Sequence, residues 1–134
     1  MSLLFLCPHS AAKSVIATAY AGRFAKAVNL ELEIAYAGTE PDEAISQKVI
    51  DLLASDGLDA STWQPHLVSS SDLEQADHVV SLGCDLEELG VDSSKSEFWD
   101  VPAPSQDLIA CRDAIRTRVE NLIALIDLKQ ARFG

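Results

Sequence analysis

Leu3-Leu4-Phe5-Leu6 is an apolar run that opens at Ser2, the pattern of a buried strand. It runs into Cys7-Pro8-His9-Ser10-Ala11-Ala12-Lys13-Ser14, a segment of small residues. Helical spacing begins beyond it, with Val15, Ile16, Ala19, Tyr20, Phe24 and Val28 on one stripe. Leu30, Leu32 and Ile34 alternate with Glu31 and Glu33, which predicts a second strand with one wet face. The turn Gly38-Thr39-Glu40-Pro41 leads into a helix expected near Asp42–Ser55, with Ile45, Val49, Leu52 and Leu53 inward and Gly57 ending it.

His66–Val68 reads as a third, short strand, and Ser71-Asp72-Leu73-Glu74 as the start of a single helical turn. His78–Leu82 is a fourth apolar run, closing on Gly83-Cys84. From Asp85 to Ser105 the periodicity fades, and a stretch of that length predicts a functional lid or a mobile edge. Ser105 is the expected cap of a last helix whose stripe is Leu108, Cys111, Ile115, Val119, Leu122 and Ile126. Strands alternating with helices imply parallel βαβ units, hence an α/β sandwich. Ligands of such sheets sit at the carboxyl ends of the strands, where Cys7 and Cys84 both fall.

The chain has 134 residues, enough for a single domain spanning 1–134. Ten Lys and Arg stand against 21 Asp and Glu, a net charge of −11 that argues against nucleic acid and against an anionic membrane surface. Three cysteines at irregular spacing form neither a disulfide framework nor a zinc ligand set. With no basic leader and no apolar stretch of roughly 20 residues, the sequence predicts a soluble protein of the cytoplasm.

The segment 7–14 carries the chemistry. A tight loop of small residues between a strand and a helix points successive backbone N–H groups into one concavity, reinforced by the positive end of the helix dipole. That makes Pro8, His9, Ser10, Ala11, Ala12 and Lys13 candidates for binding an oxyanion, and Cys7 at the base a candidate nucleophile. The alternative is a buried structural cysteine followed by an ordinary turn.

Cys-x5-Lys-Ser after the first strand resembles the Cys-x5-Arg-Ser/Thr loop of the low-molecular-weight protein tyrosine phosphatases and thioredoxin-coupled arsenate reductases. The resemblance extends through Ala37–Pro41, Asp56–Ser61, Ala76–Cys84, Phe98-Trp99-Asp100 and the last helix, and is closer to the arsenate-reductase branch. It implies a three-layer sandwich around a four-stranded parallel sheet. It also implies chemistry on phosphate, arsenate or a small phosphoester, without a cofactor.

Four departures follow from the same resemblance. The loop arginine, which grips two substrate oxygens in the family, is matched by Lys13, a cation without the planar fork. The bracing asparagine is matched by Ser10, while Ser14 matches the hydroxyl that supports the thiolate. The acid that protonates the leaving group, an Asp before Pro, is matched by Ala103, which leaves Asp100 as the candidate donor. Cys84 matches the second thiol of the reductase relay, but Asp85 to Leu89 hold no third, so a Cys7–Cys84 disulfide would need an external thiol reductant of the thioredoxin type. Cys111, on an apolar stripe, reads as core. The rival function is a non-catalytic oxyanion-binding or regulatory module.

Overall fold

The computed structural model describes residues 1–133. Four parallel strands, β1 (Ser2–Leu6), β2 (Glu33–Ala37), β3 (His78–Ser81) and β4 (Ser96–Phe98), lie in the order β2-β1-β3-β4. Side chains alternate across β1. Leu3, Phe5 and Cys7 face a layer built from α1 (Lys13–Ala27), α2 (Gln47–Ser55) and α4 (Leu108–Phe133). Leu4 and Leu6 face the other way, onto Ala76, Val79 and Cys84, covered by Leu73 of α3 (Ser70–Gln75) and by Leu86, Leu89 and Val91. The result is the three-layer sandwich expected from the sequence. Helix α1 is buried from Ser14 to Ala21, as befits an Ala-rich helix at the centre of its layer, and only Val28 of its expected stripe is exposed.

Several boundaries differ from the sequence reading. The second strand keeps its phase but starts at Glu33. Leu30 is spent on stopping α1: Asn29 adopts a left-handed φ of 54°, the Leu30 N–H reaches the Ala25 carbonyl at 2.8 Å, and the Asn29 N–H reaches Lys26 at 3.2 Å. Helix α2 starts at Gln47 rather than Asp42, because the backbone of 40–46 bonds to the loop after β1 instead of to itself. His66–Val68 forms a single bridge from Leu67 to Gly38, and the fourth strand is β4, inside the stretch read as irregular. The cap of α3 is Ser69, in a reciprocal box with Asp72. The first turn of α4 is capped by Asp107, whose carboxylate accepts from the Ala110 N–H at 2.9 Å; Ser105 lies in the preceding turn.

No helix among the described residues is long and apolar enough to cross a membrane.

Candidate active site

At the end of β1 the chain leaves the sheet in a fixed shape. The Cys7 N–H still reaches Ala37 at 3.2 Å, and then the Ser10 N–H turns back onto the Cys7 carbonyl at 3.3 Å. Ser10 holds a left-handed φ of 52° and is fully buried, its Oγ accepting from the His66 N–H at 3.2 Å. Three of the loop carbonyls are drawn outward. Pro8 accepts from the Glu40 N–H at 2.8 Å, His9 from Asp42 at 3.0 Å and Ala11 from Ser46 at 3.1 Å. Among the described residues the N–H groups of His9, Ala11, Ala12 and Lys13 have no protein acceptor. Helix α1 has no side-chain cap and no acidic residue in its first turn. Outward carbonyls, free amides and an uncapped helix start together form a nest suited to an anion.

Gly38 forms the floor. A Cβ there would stand 2.5 Å from the carbonyl oxygens of Cys7 and Pro8 and 2.8 Å from the Ser10 nitrogen. Only glycine admits so close a backbone approach.

The Cys7 thiol lies at the base, buried, with the Ser14 Oγ at 3.0 Å and the Ser14 N–H directed at Sγ from 3.4 Å. The sulfur is thus held by one backbone N–H donor, with a hydroxyl within hydrogen-bond reach. The Lys13 ammonium donates to the Leu82 carbonyl at 3.4 Å, beside the end of β3. His9 is turned outward, its Nδ1 3.0 Å from the Glu40 carbonyl oxygen and 3.4 Å from an Asp42 carboxylate oxygen.

Cys84 is buried against Leu6 and Ala37, with its backbone N–H and carbonyl both held by the Ser81 hydroxyl. Burial pushes its thiol up; hydrogen bonding with Thr39 opposes this, and the nearby Cys7 adds to it. Cys111 is fully buried in the core, as its stripe implied. Burial pushes its thiol up too, the Lys13 charge pulls it down, and Cys7 pushes it up. All three cysteines are free. Trp99 is buried and packs its ring on Phe5, with centroids 5.9 Å apart. Asp100 follows it and is exposed, sharing no hydrogen bond with the Cys7 loop among the described residues.

The structure thus brings Cys7, Ser14, Lys13 and the loop amides together, sets Cys84 and Cys111 within electrostatic range, and gives Asp100 no hydrogen bond to the loop among the described residues. Sequence reasoning missed the roles of Gly38, Thr39 and the 40–46 backbone. The one available signal was a glycine directly after a strand that neighbours β1. Among the described residues no group of three or more His, Cys, Asp or Glu is arranged to hold a metal ion.

A family model described as "Low molecular weight phosphotyrosine protein phosphatase" matches residues 2–132. A Halobacterium salinarum protein named "Putative arsenate reductase" is 31% identical over 124 residues, covering 88% of this chain and 87% of its own length. The solved arsenate reductase from Archaeoglobus fulgidus superposes with a TM-score of 0.73 at 27% identity, over 91% of this chain and 98% of the other. The thioredoxin-dependent arsenate reductase of Corynebacterium glutamicum gives a TM-score of 0.82 at 23% identity, over 96% of this chain and 62% of its own. With a match across nearly its whole length, the chain belongs to the low-molecular-weight phosphotyrosine protein phosphatase family.

Proposed function

We propose that this protein carries out cysteine-dependent chemistry on a small tetrahedral oxyanion, with Cys7 as nucleophile. The observation that carries the reading is the Cys7 thiol beside Ser14 at the base of a loop whose Pro8, His9 and Ala11 carbonyls are tied outward. In phosphate monoester hydrolysis, Cys7 Sγ attacks phosphorus and the bond to the ester oxygen breaks. Asp100 is the candidate donor of a proton to the departing oxygen. Water then attacks the thiophosphate, releasing phosphate and restoring the thiolate. The free amides of His9, Ala11, Ala12 and Lys13 and the Lys13 ammonium stabilise the charge that builds on the three remaining oxygens.

In arsenate reduction, Cys7 displaces one oxygen of arsenate as water. Cys84 then attacks Cys7 Sγ, the electron pair of the sulfur–arsenic bond passes to arsenic, and arsenite leaves a Cys7–Cys84 disulfide. A thioredoxin-type dithiol outside the chain must reduce that bond. Neither route needs a resident cofactor, and free thiols suit a reducing cytoplasm. The charge of −11 favours a small substrate over a nucleic acid or an anionic membrane.

Lys13 in place of the gripping fork lowers the rate by about 10²- to 10³-fold, the ordinary effect of losing one such stabiliser. Together with Ala103, which holds no proton, it favours a second reading, a module that binds the oxyanion without turning it over. Turnover of p-nitrophenyl phosphate by wild type and Cys7→Ser separates the two. Slow hydrolysis abolished by Cys7→Ser supports the enzyme; equal inertness with phosphate binding retained in both supports the module. After arsenate exposure, peptide mapping of a reductase shows the Cys7–Cys84 bond.

A further inference from the structure

Glu97 lies on β4, the three-residue edge strand, and its side chain shares a face with Trp99 two positions on. One carboxylate oxygen accepts from the Trp99 indole N–H, and the other is 2.6 Å from His78 Nε2 on the neighbouring strand. The two partners have separate anchors. His78 is the first residue of β3. The Trp99 backbone N–H donates to the Ser81 carbonyl at 2.8 Å, and its ring lies on Phe5, two residues before Cys7 on the same face of β1. Beyond Trp99 the chain leaves the sheet, at the same edge as the Cys7 loop, and passes through Asp100 and Ala103 to the cap at Asp107.

A buried indole N–H requires an acceptor, and Glu97 supplies it. The His78 and Glu97 side chains remain 20% and 41% exposed, so the pair adds little to global stability. Its effect falls on orientation instead. We propose that Glu97 is a positioning residue: by holding His78 and Trp99 at once, it fixes the root of the 99–107 segment beside the nucleophile loop. The proposal rests on the reading of Cys7 as nucleophile, and it makes the order of this segment depend on one carboxylate remote from the substrate.

Glu97→Ala removes both bonds, whereas Glu97→Gln keeps an acceptor for the indole and a donor for neutral His78. Hydrogen–deuterium exchange is read on peptides covering 99–107 and 7–14. The expected result for Glu97→Ala is about tenfold faster exchange in 99–107 with 7–14 unchanged, and wild-type exchange for Glu97→Gln. With p-nitrophenyl phosphate, kcat falls about tenfold in Glu97→Ala while KM stays within about twofold, and Glu97→Gln recovers kcat. Unchanged exchange in 99–107, or faster exchange across the whole chain, overturns the proposal. If wild type shows no turnover, the Cys7 reading fails on its own while the exchange experiment still decides the role of Glu97.

Discussion

The sharpest consequence of the site geometry concerns Gly38→Ala, a change of one methyl group. Ordinary contact begins at 3.4 Å, and the added Cβ would stand 2.5 Å from two carbonyl oxygens. Each carbonyl would therefore have to retreat by about 0.9 Å, and backbone cannot swing aside as a flexible side chain does. Gly38 cannot retreat freely either, because its N–H and carbonyl are bonded to His66 and Val68, both at 2.9 Å. Overpacking of this kind costs about 1–3 kcal/mol. At a urea slope of about 1.5 kcal/mol/M, the middle of that range lowers the unfolding midpoint by about 1.3 M. The loop amides move with the carbonyls, and a displacement near 1 Å in a positioned site costs about 10²-fold in rate. Urea unfolding followed by circular dichroism gives the first quantity, and calorimetric titration with inorganic phosphate reports the state of the nest. A variant that binds phosphate within twofold of wild type, with an unchanged midpoint, would refute Gly38 as the floor of the loop.

Lys13→Arg restores the planar fork and raises kcat/KM for p-nitrophenyl phosphate by about 10-fold or more; an equal or lower value means that the loop is shaped around lysine. Asp56 accepts from the Tyr20 hydroxyl and from Arg112 at 2.8 Å, and these bonds, that of Tyr20 foremost, hold its carboxyl below its ordinary value of 3.8. Because the folded-state value is the lower one, the stabilisation is present above about pH 4 and is lost as pH falls through the folded-state value. With the carboxylate partly exposed, Asp56→Asn costs about 1–2 kcal/mol at pH 7, a Tm lower by about 4–8 °C, and flattens the acid limb of a Tm-versus-pH series; an acid limb as steep as wild type contradicts this. Burial raises the thiols of Cys84 and Cys111, so iodoacetamide at pH 8 leaves both unlabelled in the folded chain and labels both in denaturing urea. Rapid labelling of either in the folded protein counts against the packing described.

The elements that hold Cys7, the proposed nucleophile, were legible because their signals are local. An apolar run, a small-residue loop and a helical stripe follow one another from Ser2 to Ala27, and Cys7, Lys13 and Ser14 lie within that span. β4 was not legible. Ser-Glu-Phe is short, sits at a sheet edge and leaves Phe98 56% exposed, so no periodicity marks it. The start of α2 was misplaced because Asp42 and Ser46 give their N–H groups to the loop after β1, a tertiary use that no propensity encodes. The same reason hid most of the site. Glu40, Asp42, Ser46 and His66 shape the loop through backbone groups that every residue but proline carries, so side-chain identity gives no sign of the role.

The tying of the loop by distant backbone has a consequence for how the protein folds. Ser10 is braced by a residue 56 positions away, and the Pro8, His9 and Ala11 carbonyls by the segment that follows β2. Bringing such ends together costs closure entropy before any bond is gained, and non-local pairings of this kind slow folding. The shape of the 7–14 loop is therefore a product of completed topology, not a local motif. A peptide spanning only the first strand, loop and helix lacks every one of these ties, and the amides in it are free to turn to water.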